Sequence, residues 1–156
     1  MTTINNRDKI MNFKMNIKKL NENAIIPTYG SAAAAGADLY ACADADITID
    51  AGATVLVHTG VAMAIPDGYV GLVFARSGLA SKRGLAPANK VGVIDSDYRG
   101  EIMVALHNHS STAQTISHGE RIAQIVFVPY AAADFDVVDE LDDTARGAGG
   151  FGSTGK

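Results

Sequence analysis

The chain has 156 residues, with 17 acidic against 13 basic side chains, a formal net charge of −4 and one cysteine. That length supports a single domain with a sizeable core; the negative balance argues against a surface for duplex nucleic acid but leaves room for a local anion pocket, and Cys42 alone excludes an intrachain disulfide framework. No apolar run approaches the roughly 18 residues of a membrane span and the start lacks the apolar core of a secretory signal, so a soluble, cytoplasmic protein with neither nucleic acid nor membrane as partner is expected.

Residues 1–15, rich in Asn, Lys and Met without a sustained period, read as a mobile lead. A first strand is expected near Asn16 to Leu20. The four alanines of IIPTYGSAAAAGADLYAC favour a helix by propensity, but Pro27, Gly30 and Gly36 fall too close together, so turns leading into a strand at Asp38 to Ala41 are expected. From Asp46 onward short apolar runs alternate with turn residues: Ile47 to Ile49, Thr54 to His58, Val61 to Ile65 and Tyr69 to Phe74. That cadence predicts an all-β sandwich, barrel or jelly roll. One short helix is expected over Gly78 to Arg83 behind a Ser77 cap. Strands follow at Lys90 to Ile94, Glu101 to His107, Ala113 to Ile116 and Arg121 to Pro129. The domain is expected to span 16–140, with 141–156 a flexible glycine-rich arm, because such a segment has little to bury and glycine is expensive to order.

Within this frame VGVIDSDYRGEI stands out. Val91 to Ile94 and Glu101 to Val104 read as the two legs of a hairpin with Ser96-Asp97 as its turn, which puts Asp95 at the mouth, Tyr98 across from it and Asn89 just upstream. A solvated acidic tip is the plain alternative. In ARSGLASKRGL, Arg76 and Ser77 precede a helix start, where free amides favour anions, although a serine there is most often only a cap. Asp38 is either a strand-edge turn residue or an outer-sphere metal ligand, and Arg121 and Gln124 are polar exits from a core strand. His107 and His109 share a strand face but lack a third ligand, and with His58 and His118 they are read as surface residues. Gly150, Gly155 and Lys156 fit the spacing of a phosphate loop, but the motif requires a preceding strand and a following helix. What survives is a run of glycine amides able to cradle an anion, with Arg146 for charge and Phe151 for stacking.

Taken together, five segments in order resemble the trimeric dUTPases: PTYGSAAAAGADLYA (Pro27 to Ala41), ARSGLA (Ala75 to Ala80), NKVGVIDSDYRGEI (Asn89 to Ile102), GERIAQI (Gly119 to Ile125) and RGAGGFGSTG (Arg146 to Gly155). Each is short, but the ordered set covers the chain from about Ile17 onward; Ala75 is a slight departure, where Pro or Gly is often seen. The resemblance implies a jelly-roll, β-clip-like barrel, a homotrimer with active sites shared between subunits, and Mg²⁺-assisted hydrolysis of dUTP to dUMP and pyrophosphate. It implies Asp95 as the base and Asp38 as a ligand to Mg²⁺ through water. Arg76, Ser77, Gly78 and Gln124, with Arg146, Gly152 and Ser153 from the arm, are implied on the phosphate side; Asn89, Val93, Ile94, Tyr98 and Met103 on the nucleoside side, with Phe151 stacking on uracil. A deaminase of similar fold, or a nucleotide-binding trimer without turnover, are the rivals.

Overall fold

The structure is a computed structural model and describes residues 12–150. Strands β1 (Asn16–Lys19), β2 (Thr28–Tyr29), β3 (Ala37–Tyr40), β4 (Ile47–Ile49), β5 (Thr54–His58), β6 (Val61–Ala64) and β7 (Tyr69–Phe74) come first. They are followed by helix α1 (Ser77–Arg83), then β8 (Leu85–Pro87), β9 (Gly92–Ile94), β10 (Met103–Asn108), β11 (Gln114–Ile116) and β12 (Arg121–Pro129). The expected all-β jelly-roll architecture with one short helix is what the chain adopts.

Its largest sheet runs β2-β3-β12-β7-β9; a second runs β5-β10-β8, and β1-β6 and β11-β4 complete the walls as antiparallel pairs. The period-2 alternation of the sequence does the sorting. In β10, Val104, Leu106 and Asn108 point inward and Met103, Ala105 and His107 outward. The enclosed core is chiefly aliphatic, with Leu39, Ile49, Val57, Leu85, Ile102, Leu106, Ile116, Ile122 and Ile125 fully buried. Asn108 is the polar exception at 0% exposure. Its amide donates to the carbonyls of Ile49 (2.9 Å) and Thr112 (2.8 Å), and its oxygen accepts from the Ser110 amide (2.9 Å) and hydroxyl (2.7 Å), so burial leaves nothing unpaired. Before β1, Phe13 packs on Tyr69 with ring centroids 4.8 Å apart.

Several local expectations are corrected. Val91 to Ile94 and Glu101 to Val104 do not form a paired hairpin. The Tyr98 amide closes the turn on the Asp95 carbonyl (3.2 Å), but β9 pairs with β7 and β10 with β5 and β8, so the segment arches between two sheets. Ser77 is not the cap either: Arg76 holds that position without a side-chain cap bond, and Ser77 is already helical. β2 and β8, of two and three residues, were not foreseen. The last strand ends at Pro129, and residues 131–148 are exposed.

Candidate active site

Two clusters of the expected site residues form, one on the largest sheet and one between its outer strand β9 and strands β5 and β10 of the second sheet. The first lies over β3, β12 and the end of β7, where Asp38, Gln124 and Phe74 are cross-strand neighbours in one row. Asp38 is 9% exposed, and such a carboxylate must be paired. Its Oδ1 accepts from Arg76 Nε at 2.7 Å and its Oδ2 from Arg121 Nη1 at 3.2 Å. The Gln124 amide donates to the Ala75 carbonyl (2.9 Å), fixing the residue before Arg76. A β-carbon at Gly36 would lie 2.5 Å from Gln124 Oε1 and would displace that amide from its present place.

A register shift between Arg121 and Ala123 makes the cluster possible. Arg121 and Gln124 are three apart, an odd spacing that would send them to opposite faces of a regular strand. The bulge inserts one residue, so Ile122 and Ala123 are buried in succession and both polar side chains share the face of Asp38. The result is an arginine paired with a nearly buried carboxylate and 25% exposed at its own side chain.

The second cluster is a cavity of about 220 Å³ lined by Leu56, Val93, Ile94, Asp95, Tyr98, Glu101 and Met103. Leu56, Val93, Ile94 and Met103 supply its apolar lining, and Asp95 is exposed beside them. Val93 is 62% exposed on β9, the outer strand of its sheet. Along such a strand alternate N–H and C=O groups point away from the neighbouring strand, free to bond a ligand. The Tyr98 hydroxyl donates to the Glu101 carbonyl at 3.0 Å, which lays the ring back over Gly100. Asn89 sits at the approach to β9, its amide nitrogen 3.4 Å from where a β-carbon of Gly92 would be.

One chain does not join these clusters. β9 is three strand spacings from β3, about 14 Å at 4.8 Å each, and Asp95 is level with Val70 while Asp38 is level with Phe74, about 13 Å along the sheet. Asp95 and the Asp38–Arg76 pair are therefore roughly 20 Å apart. Ser77 and Gly78 are exposed at the start of α1, near the first cluster only. Arg146 is exposed and bonds locally, its Nε donating to the Gly149 carbonyl at 2.8 Å. Phe151, Gly152 and Ser153 lie outside the described residues.

Sequence reasoning missed Leu56 and Glu101 as lining residues and took Arg121 only as a polar exit, not as the second guanidinium on Asp38. The outward phase of Leu56, next to inward Val57, was the available signal. Of the histidines, His58, His109 and His118 are exposed, whereas His107 is half-buried with Nδ1 2.9 Å from the Thr54 hydroxyl. Desolvation, with His107 and Lys90 beside it, pushes the His109 imidazole below its ordinary pKa.

Among the described residues no three His, Cys, Asp or Glu side chains gather to cage a metal. Asp38 already accepts from a guanidinium on each oxygen, which leaves lone pairs for a water but no pocket for an ion in direct contact. A divalent cation would be reached from Asp38 only through water.

The chain is similar to known proteins over most of its length. A family model for dUTPase matches residues 22–155. The deoxyuridine 5′-triphosphate nucleotidohydrolase of Desulfitobacterium hafniense (strain Y51) is 55% identical over 131 residues, 83% of this chain and 87% of that protein. The protein of the same name from Acinetobacter baumannii (strain AYE) is 49% identical over 139 residues, 88% of this chain and 93% of that one. A solved structure of Staphylococcus bacteriophage 80alpha dUTPase with dUPNHPP superposes with a TM-score of 0.84 at 29% identity, covering 92% of this chain and 99% of that one. With its five motifs in order, its strands arranged as described and relatives at this level of identity, the chain belongs to the dUTPase family.

Proposed function

We propose that the protein hydrolyses dUTP to dUMP and pyrophosphate, which limits uracil in DNA and supplies dUMP for thymidylate synthesis. The observation that carries this reading is one pocket combining an exposed carboxylate, Asp95, with the free edge of β9 and the ring of Tyr98. Uracil O4 and N3–H match an outward N–H and C=O pair, whereas cytosine presents donor and acceptor reversed. A mispair would bury unsatisfied polar groups, and discrimination of about 10⁴ is within reach of such a site. A thymine methyl would collide with β9, and Tyr98 beneath the sugar leaves no room for a 2′-hydroxyl.

In the reaction Asp95 takes a proton from water as the water oxygen bonds to the α-phosphorus, and the oxygen bridging to the β-phosphorus leaves with pyrophosphate. The demand on the rest of the site is charge neutralisation and positioning. Arg76, held by Asp38, meets it, with Gln124 and the backbone of Ser77 and Gly78 alongside. Since Asp95 and Arg76 are far apart on one chain, while adjacent phosphates are joined by a single oxygen, the site is assembled from more than one copy. A homotrimer satisfies this, with Asn89, Val93, Ile94, Tyr98 and Met103 from one subunit facing the arginine cluster of the next. Arg146, Phe151, Gly152 and Ser153 of the arm then close over the γ-phosphate and base. Asp38 would hold a hydrated Mg²⁺, which when bound neutralises phosphate charge. A cytoplasmic location agrees with the free nucleotide as substrate; among the described residues no helix is long and apolar enough to cross a membrane.

Turnover of dUTP, dCTP and UTP, read as pyrophosphate, monophosphate and ammonia, tests the reading. Pyrophosphate from dUTP alone is expected; ammonia from dCTP would mean a deaminase, and no turnover a binding protein. In ¹⁸O-labelled water the label is expected in dUMP, and label in pyrophosphate would refute attack at the α-phosphorus.

A further inference from the structure

Beyond β9, which pairs with β7, the segment that presents Tyr98 is tied on its C-terminal side to the turn between β5 and β6. Glu101 lines the nucleoside cavity, yet both its carboxylate oxygens are engaged behind it: Oε1 accepts from the Gly60 amide at 2.7 Å, and Oε2 lies 2.8 Å from His58 Nδ1. Next in sequence, the Ile102 amide donates to the Val61 carbonyl at 2.9 Å and its carbonyl accepts from the Thr59 hydroxyl at 2.5 Å. The Glu101 carbonyl is also the acceptor for the Tyr98 hydroxyl. Tyr98 reaches it only because residue 100 is glycine, where a β-carbon would lie 2.4 Å from the hydroxyl and 2.6 Å from Cζ. By contrast, the tip from Ser96 to Arg99 bonds within itself, Arg99 donating to the Ser96 carbonyl at 2.6 Å. The ring's place is thus decided by where the Glu101 backbone is held.

We propose that Glu101 is a positioning residue: clamped to the β5–β6 turn, it fixes the Tyr98 ring and thereby sets the discrimination between a 2′-hydrogen and a 2′-hydroxyl. This rests on the reading of the pocket as the deoxyuridine site. Glu101 contributes no charge to the chemistry, and its effect is selectivity more than rate. A ring free to swing admits the ribose that a fixed ring excludes, so the affected substrate is UTP.

The test compares wild type, Glu101→Ala, Glu101→Gln and Gly100→Ala in two measurements on the full chain: kcat/KM for dUTP and UTP, and amide hydrogen exchange over residues 95–101. In Glu101→Ala the preference for dUTP over UTP is expected to fall about tenfold, with exchange in this segment at least about tenfold faster. Glu101→Gln keeps an oxygen for the Gly60 amide and is expected to recover most of both. Gly100→Ala pushes the ring aside while leaving the carboxylate clamped, and is expected to lose the same selectivity. Unchanged exchange in Glu101→Ala, or faster exchange with an unchanged dUTP to UTP ratio, overturns the proposal. A wild-type chain that fails to turn over dUTP overturns the functional reading and the selectivity with it, while the exchange measurement still decides whether Glu101 holds the segment.

Discussion

Replacing Asp38 by Asn removes one negative charge shared by two guanidiniums while keeping the side chain's shape. The Asp38 side chain is 13% exposed and that of Arg76 25%, so their bond at 2.7 Å is poorly screened. A hydrogen bond to a charged group contributes about 1.5–3 kcal/mol, and partial exposure places this one near the lower end. Arg121 is half-exposed at 3.2 Å and adds no more than about 1 kcal/mol. The expected loss is about 1.5–2.5 kcal/mol, which for a chain of this length lowers Tm by about 3–10 °C at fixed protein concentration, read by far-UV circular dichroism. The functional loss should be larger, since Arg76 loses the partner that aims it; a misplacement of about 1 Å reduces kcat/KM for dUTP by about 10². If Asp38 also orients a hydrated Mg²⁺, the half-saturating Mg²⁺ concentration rises in the variant, and an unaltered Mg²⁺ dependence assigns the whole effect to Arg76. A variant melting within about 1 °C of the parent, with kcat/KM within about twofold, would refute the claim that the buried carboxylate organises the arginines.

Asp95→Asn is expected to lower kcat by roughly 10²–10⁴ with dUMP affinity largely kept, checked by pyrophosphate release and titration calorimetry; near-normal turnover removes Asp95 from the mechanism. Deleting residues after Asp143 is expected to leave the sedimentation coefficient of the assembly close to that of the full chain while abolishing most turnover. Asn108→Leu removes the donor to the buried Ile49 carbonyl, while the Ser110 hydroxyl keeps the Thr112 carbonyl as partner at 2.9 Å; the expected loss is about 1–3 kcal/mol and a Tm lower by about 2–12 °C, read by far-UV circular dichroism. Desolvation and the nearby Glu101 and Asp44 carboxylates push the Cys42 thiol up, so its thiolate is scarcer than that of a free cysteine at any given pH. Alkylation at pH 8 should therefore be slow in the folded protein and become fast in denaturant; equal rates would show that Cys42 is neither buried nor perturbed.

Strand cadence and turn chemistry along the chain were enough to specify an all-β body with one short helix, because period-2 alternation and Gly, Asp and Ser turns depend on neighbours in sequence. The turn at Asp95 to Tyr98 was legible for the same reason. Pairing partners were not. Val91 to Ile94 and Glu101 to Val104 carry the local marks of a hairpin, yet β9 finds β7 and Glu101 finds the β5–β6 turn, contacts between residues far apart in sequence. β2 and β8 are too short to show a period, and Pro87 argues against a strand unless it lies at a sheet edge, as it does. The bulge in β12 is the sharpest case: alternation alone puts Arg121 and Gln124 on opposite faces, and only the cross-strand register with β3 turns both toward Asp38. Sequence carries which side chains alternate, and the packed sheet decides where that alternation slips.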